Sequence, residues 1–525
     1  MIYTEAERIP RRNIALSGGN QEKERAMKSE NLPVIFGLKL RNIREALGLG
    51  LKELAERAGM SASYLNEIEK GKKYPKADKI LQISQALEVP YDEMVSLKLG
   101  GVLGPLEVFL DSPLIQALPL QMFGLVPRDI LDLISRAPKE VSALIRALLD
   151  ITGRYDMQVE HFFHAMLRSY QETHDNYFED IEQAVAAFAA SQGLSPPVSE
   201  DALRAVLEED YHVKIDEEVL ATEPTLSGFR SVWINKSPER LLLNPRLTGR
   251  QKAFQLGREI GYRQLRLKAR GATSSRAEVE SFEQVLNDFK ASYYSGALLI
   301  DQAMLVEDMK AFFSLPTWDA QALLRIMNRY QVTPEMFLYR LTQLLPTHFG
   351  LEDLQFFRVN HTPEKNSFHI NKQLNMTAQV RTPGMGSGEH HCRRWIAVDL
   401  LKTLARQAHP DPAAPPLVSA QRIRFLEDGS EFFLMTLARS LALTPGANTS
   451  VTLALAFNDP FRSAVRFHGD AQVPFAQVSD SCERCPLPAD HCEQRVAPPR
   501  IHLARQAHEE RRVALEKVLE QGLGE

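Results

Sequence analysis

Residues 51–75 read LKELAERAGMSASYLNEIEKGKKYP. Leu51, Leu54 and Ala55 form one apolar stripe at helical spacing, and Gly59 supplies a sharp turn after it. Ser61 is placed to cap a second helix, whose apolar face runs through Tyr64, Leu65 and Ile68. Gly71 ends that helix, and Pro75 prevents its resumption. Two helices across a glycine turn make a helix-turn-helix. Upstream, FGLKLRNIREALG predicts a helix with Phe36, Leu40, Ile43 and Leu47 on one face. Downstream, KADKILQISQALEVPYDEMV predicts two more, separated by Pro90. Residues 33–97 are therefore expected to form a five-helix domain.

This stretch resembles the Xre/Cro-type helix-turn-helix family, with Ala55, Gly59, Tyr64-Leu65, Ile68-Glu69 and Gly71 at matching places. The resemblance implies that the second helix of the motif enters the major groove of double-stranded DNA. Ser61, Ser63, Tyr64 and Asn66 are then candidates for base edges or phosphates, and Lys70, Lys72 and Lys73 for phosphates. A palindromic operator would call for a homodimer.

The chain has 525 residues, room for about three domains. Its hydrophobic share of 44% excludes wholesale disorder. No apolar run approaches a membrane span, and the N-terminus lacks a signal core. A cytoplasmic location is expected, a reducing compartment that disfavours structural disulfides. The net charge of −5 means that a basic DNA-binding surface has to be local. Residues 1–32 read as a disordered extension, with Met27 as an alternative start. Residues 98–158 read as a helical connector with an amphipathic, dimer-forming segment.

Residues 159–345 contain a second informative stretch, NPRLTGRQKAFQLGREIGY. It resembles the helix that carries His-Glu-x-x-His in ImmA/IrrE-type metallopeptidases, but here the positions read Arg258, Glu259, Ile260, Gly261 and Tyr262. Charged arginine cannot bind zinc, and Glu259 has no metal-bound water to activate. The reading is a degenerate peptidase domain, not an enzyme. Its cleft is expected to bind a ligand through Arg258, Tyr262 and Tyr293 or Tyr294, an arginine there suiting phosphate or carboxylate; an equal alternative is that Arg258 simply pairs with a nearby carboxylate. An active zinc peptidase that cleaves a partner repressor is the alternative, with His161, His164 or His174 as stand-in ligands.

Residues 346–525 predict an α+β domain with an antiparallel sheet, its strands including TSVTLALAFND, SAVRFH and AQVPFAQVS, and a polar C-terminal helix. The whole is mainly α with an α+β C-terminal part. All 4 cysteines fall in this last region: Cys392, then Cys482, Cys485 and Cys492 in SCERCPLPADHCE. Four thiolates complete a zinc site or an iron–sulfur cluster, and the spacing does not choose between them. His491 could replace one of the thiols.

From about residue 33 onward, the chain resembles the short-chain fatty acyl transcriptional regulator family. LRSYQETHDNYFEDIE, FKASYYSGALLI and CERCPLPADHCEQR carry the likeness. It implies a bacterial regulator of propionate or acetate metabolism that senses a short-chain acyl-CoA. It also implies a 4Fe-4S cluster on Cys482, Cys485 and Cys492, with Cys392 as the fourth ligand.

Overall fold

The computed structural model describes residues 19–96, 159–222, 224–271, 273, 281–377, 388–407 and 411–522. The dimer-forming segment expected at 98–158 and the first part of the N-terminal extension lie outside them. The chain divides into two compact units, Ile2–His164 and Ala165–Glu525.

The first unit is built of helices α1 (Gly19–Ala46), α2 (Leu51–Arg57), α3 (Ala62–Glu69), α4 (Ala77–Leu87) and α5 (Tyr91–Val95). Helix α1 begins inside the stretch expected to be disordered, which corrects that reading. QEKERAMKSE lacks an apolar period but is made of good helix formers, so it can extend a helix nucleated downstream. Phe36, Leu40, Leu54, Leu65, Ile68, Ile83 and Met94 make the core. Gly37 lets α1 touch α3: a Cβ there would lie 2.2 Å from the Ile68 carbonyl oxygen. Arg44 on α1 grips the buried Glu69 on α3 through Nε at 2.6 Å and Nη2 at 3.0 Å. Gly59 and Gly71 take φ of +63° and +66°, the left-handed turns the sequence demanded.

Helix α6 (Val159–Thr173) runs across the division at residue 164, and the second unit continues with α7 (Glu179–Ser191) and α8 (Glu200–Ala205). A three-stranded sheet follows, ordered β1 (Lys214–Asp216), β3 (Arg240–Leu243), β2 (Ser231–Ile234), with the short α9 (Val219–Thr222) inserted. Five helices come next: α10 (Gly249–Gln264), α11 (Phe282–Leu299), α12 (Gln302–Phe313), α13 (Ala320–Arg329) and α14 (Pro334–Phe349). Helices α10 and α11 lie close because Gly257 and Gly261 face Ser295 and Tyr294, where a Cβ would meet side-chain atoms at 2.6 and 3.0 Å.

A six-stranded sheet completes the unit: β4 (Leu354–Thr362), β5 (Ser367–Asn375), β6 (Leu417–Phe425), β7 (Glu431–Ser440), β8 (Asn448–Ala456) and β9 (Phe475–Val478). Their order is β5-β4-β8-β7-β6-β9. Helix α15 (Ile396–Ala405) packs on the sheet, α16 (Asp459–Ala464) follows β8, and α17 (Arg500–Gly522) is the polar terminal helix. The sheet is mixed, not antiparallel: β9 pairs parallel to β6. The segment between β8 and β9 crosses over instead of turning back, so β9 enters in the direction of β6. SAVRFH is no strand. It spans the end of α16 and a 3₁₀ turn, because Asn458 caps Phe461 N–H at 3.1 Å with Pro460 in the first turn.

The boundary expected at 345/346 falls inside one packed body. A single core runs from Phe178 through Leu341 and Leu345 on α14 to Phe356, Leu453 and Phe467.

Candidate functional site

Helix α3 starts at its cap. Ser61 Oγ accepts the Tyr64 N–H at 3.2 Å, so this hydroxyl is occupied in holding the helix end. Ser63, Asn66 and Lys70 recur at three- and four-residue spacing, and so share one face. Ser63, Lys70 and Lys72 are exposed, while Tyr64 and Asn66 are half-buried. Lys73 pairs with Glu67 at 2.8 Å and lies 5.8 Å from the Tyr64 ring centre. It thereby neutralises the one acid on the outer turn of α3 instead of standing free for a phosphate. Each holds the other's charge: Glu67 sits below and Lys73 above its usual range, chiefly through that hydrogen bond.

On α10, Arg258 is buried and paired with Asp288 of α11, and Tyr262 Oη donates to the same carboxylate at 3.1 Å. Glu259 is buried and held bidentately by Arg270, at 2.6 and 2.9 Å. The Arg270 guanidinium lies 4.1 Å from the Tyr262 ring and 4.7 Å from Trp233. Where a zinc peptidase would gather imidazoles, this helix gathers closed ion pairs. Among the described residues no group of three His, Cys, Asp or Glu side chains could hold a metal ion, so the residues here do not fit zinc.

The expected ligand pocket is corrected by the same geometry. Arg258 and Tyr262 are committed to Asp288. Tyr293 lies in the core with Glu182 and the Phe178 N–H, at 2.6 and 3.2 Å, beside the buried Arg340–Glu182 pair. Burial and, for Tyr262, Asp288 push both phenols far up from their ordinary range. Tyr294 is buried as well. Side chains this apolar-packed belong to the core, which the sequence does not distinguish from a cleft.

A second basic group went unread in the sequence. Arg230, before β2, and Arg439, on β7, are half-buried, and their side chains have no hydrogen bond or ion pair among the described residues. Glu335, in the first turn of α14, stands in their midst. It accepts from Arg358 Nη1 at 2.7 Å and from Lys372 Nζ at 3.2 Å. Lys372 also lies 4.0 Å over the Tyr339 ring, and Arg250, at the start of α10, adds its charge to Arg439. Burial works against the Glu335 carboxylate, yet Lys372, Arg358 and Arg230 hold it far below the usual range. Arg439 is pushed down to about 10 by burial and by Arg230, Arg250 and Arg358, against the pull of Glu335. Arg230, Arg358, Lys372 and Arg439 around Glu335, with Arg250 near Arg439, carry net positive charge, and a buried like-charge cluster is costly until countered. These residues span more than two hundred positions, with no local motif to announce them.

The cysteines meet in one corner. A bridge between His391 and Ser481 brings the two segments together, with Cys482 N–H donating to His390 O at 2.9 Å. Cys392, Cys482 and Cys485 are buried and Cys492 is half-buried. Cys392 and Cys482 act electrostatically on each other, as do Cys392 and Cys485, and Cys485 and Cys492. Backbone N–H groups of Ser479 and Arg394 point at Cys392, and that of Leu487 at Cys485. Burial pushes the Cys392 thiol up to about 11. Burial raises the Cys485 thiol as well.

Residues 37–100 match the family described as a helix-turn-helix domain, and residues 213–342 match the IrrE N-terminal-like domain of the M78 peptidase family. The chain carries both domains. A solved Mycobacterium tuberculosis transcriptional regulator is similar over 63% of this chain and 93% of its own, at 16% identity and a TM-score of 0.44. A search of curated proteins finds no match. No helix among the described residues is long and apolar enough to cross a membrane.

Proposed function

We propose that this protein is a homodimeric, sequence-specific regulator of short-chain fatty acid metabolism that binds operator DNA through α3 and answers to an acyl-CoA. The observation that carries the DNA reading is the outer face of α3, where Ser63, Asn66 and Lys70 align and Lys73 cancels Glu67. Asn suits bidentate contact with adenine, and Lys70 and Lys72 suit phosphates. Selection from a random duplex pool with the full chain should enrich a palindromic motif. Replacing Lys72 by Ala should weaken binding evenly across sequences and reduce the salt slope by about 1. A pool that shows no enrichment would sink this reading.

We assign the effector to Arg230, Arg250, Arg358, Lys372 and Arg439, because an acyl-CoA carries several phosphates and these cations outnumber the one carboxylate among them. An effector alters DNA binding only to the extent that it prefers one of two protein states. Operator affinity measured with acetyl-CoA, propionyl-CoA and free CoA should therefore differ; identical values would remove the sensing role.

The cysteine corner is where a 4Fe-4S cluster would sit: four thiols come from two neighbouring segments, with backbone N–H groups aimed at two of them, though among the described residues they are not gathered into a group of three that could hold a metal ion. Cys392, Cys482, Cys485 and Cys492 would hold it, and it would supply one-electron chemistry or a rigid cross-link between the two segments. Zinc is the alternative ligand of the same thiols. Visible absorption with matching iron and sulfide content separates them, since d¹⁰ zinc is colourless. The Cys392→Ala variant should lose iron; full retention would remove it from the ligand set. We read α10 as non-catalytic, because Arg258 and Glu259 are closed by Asp288 and Arg270. Zinc bound stoichiometrically by a variant lacking all four cysteines would revive the peptidase reading.

A further inference from the structure

Helix α17 is tied to the rest of its unit at one end. The Ile501 and His502 N–H groups donate to the Glu483 carbonyl at 2.9 and 3.0 Å, and Arg500 Nη2 donates to the Gly388 carbonyl at 3.3 Å. From Leu503 to Val518 every residue except Ala507 is exposed. Leu503, Val513, Leu515 and Val518 are among them, at 38–63% exposure. A helix draws most of its stability from packing an apolar face. This one has 23 residues and, beyond its first turn, leaves its aliphatic side chains in water.

The two halves of α17 fit each other. The first half borders an open groove of about 860 Å³, with Ile501, Ala504, Arg505 and His508 along the helix and Glu389 from outside it. The second half carries Leu515 and Val518. Ile501, Ala504, His508, Arg511, Leu515 and Val518 recur at alternating three- and four-residue steps, so they form one stripe along the helix. The groove lies along the first part of that stripe, and exposed aliphatic side chains make the end of it. One helix cannot fold back to fill its own groove, but a second copy running antiparallel can. Ile501 then meets the partner's Val518, Ala504 the partner's Leu515, and His508 the partner's Arg511, because these pairs are evenly spaced about the point between Glu509 and Glu510. Every contact is made twice, as a two-fold interface requires.

Charge selects the same arrangement. Arg500 and Arg505 stand in the first half, where no acid precedes Glu509. Arg505 flanks the stripe on the side where the partner brings Glu516, which its own Arg512 already holds one turn along the helix. Antiparallel helices also set opposite dipole ends side by side. A parallel pair would put Arg505 beside Arg505 and turn groove toward groove. Resting on the homodimer read above, we propose that α17 is a dimer interface: two copies pair antiparallel, and Leu515 and Val518 of each fill the groove of the other. His508 and Arg511 make the polar middle layer, which fixes the register at a cost in stability.

The test uses the full chain and measures its mass in solution by sedimentation equilibrium over a range of concentrations. Leu515→Glu with Val518→Glu should raise the dimer dissociation constant by about a hundredfold or more, since two charges per copy would enter an apolar groove. Both positions are exposed in the single chain, so the protomer should keep its fold, which circular dichroism checks. Arg505→Glu and Glu516→Arg should each weaken the dimer about fivefold, and the two exchanges together should restore it. Single exchanges without effect, or a double exchange that does not restore the dimer, overturn the antiparallel register. A wild-type dimer that survives Leu515→Glu with Val518→Glu overturns this surface alone and leaves the homodimer standing. A wild-type chain that is monomeric at every concentration overturns the homodimer and this surface together.

Discussion

Arg258 and Arg439 belong to the same unit and are both largely withdrawn from water, yet they use their charge in opposite ways. Arg258 has its carboxylate in Asp288, and its neighbour Arg270 has Glu259. Arg439 and Arg230 have no such side-chain partner among the described residues and share Glu335 at a distance with Arg358 and Lys372. The first arrangement is closed: charge is matched inside the fold, and its role is to hold α10 and α11 in place. The second is open. Its cations outnumber its carboxylate, which leaves charge for the proposed ligand to match. The sign of a site's net charge, not its count of arginines, separates scaffold from binding site.

The largest effect that tests this contrast lies on the closed side. Glu259→Ala leaves Arg270 without its bidentate partner, wedged between Trp233 and Tyr262. Breaking a buried pair from one side costs about 3–5 kcal/mol. Chemical denaturation of the second unit should show a loss of that size. A loss below about 1 kcal/mol would mean that Glu259 is not fixed by Arg270, and the closed description of α10 would fail.

Next comes the open side. Arg439→Gln removes an unpaired charge, so stability should stay the same or rise slightly, since like-charge repulsion is relieved. Affinity for an acyl-CoA, read by calorimetry, should fall at least tenfold, about 1.4 kcal/mol. A destabilised protein with unchanged affinity would reverse the assignment and make Arg439 structural.

The two sides also differ in how far the amino-acid sequence reveals them. The helix-turn-helix was legible almost to the residue, because Gly59, Ser61, Gly71 and Pro75 act through local backbone chemistry. Arg258 and Tyr262 were legible as the residues of the altered motif. Their burial was not. Whether Tyr293 lines a cleft or fills a core depends on Glu182 and Phe178, more than a hundred residues away. The cation cluster was invisible for the same reason: Arg230, Glu335, Lys372 and Arg439 meet through tertiary packing. The mixed sheet failed similarly, because the direction of β9 is set by a crossover and not by its own four residues.

Glu335 gives a finer test of the open site. Its carboxylate partly cancels the surrounding cations, so Glu335→Gln should raise affinity for the anionic ligand, by roughly fivefold or about 1 kcal/mol. The folded carboxylate is held far below its unfolded range, so it contributes stability at neutral pH. That stability is present above the unfolded pKa and fades as pH falls from about 4 downward. Glu335→Gln should therefore tighten binding while weakening the unliganded fold, and lose that acid-dependent part of its stability. Weaker binding would show that Glu335 itself contacts the ligand as a carboxylate.

The smallest effect is expected where both members of the closed pair are replaced together. Arg258→Met with Asp288→Asn removes both charges and leaves an amide oxygen for the Tyr262 hydroxyl. Only the Arg258 end of this pair is buried, the Asp288 side chain being 49% exposed; exchanging such a pair for neutral groups of similar shape removes the desolvation cost of Arg258 along with the attraction. Stability should stay within about 1 kcal/mol of the parent, and acyl-CoA affinity should not change. Each single substitution should be worse than the pair, since each strands one charge. If the double variant keeps its stability but loses the ligand, Arg258 serves the binding site after all, and the line between closed and open would have to be redrawn through Gln255, the residue that links Arg258 to Ser231 next to Arg230.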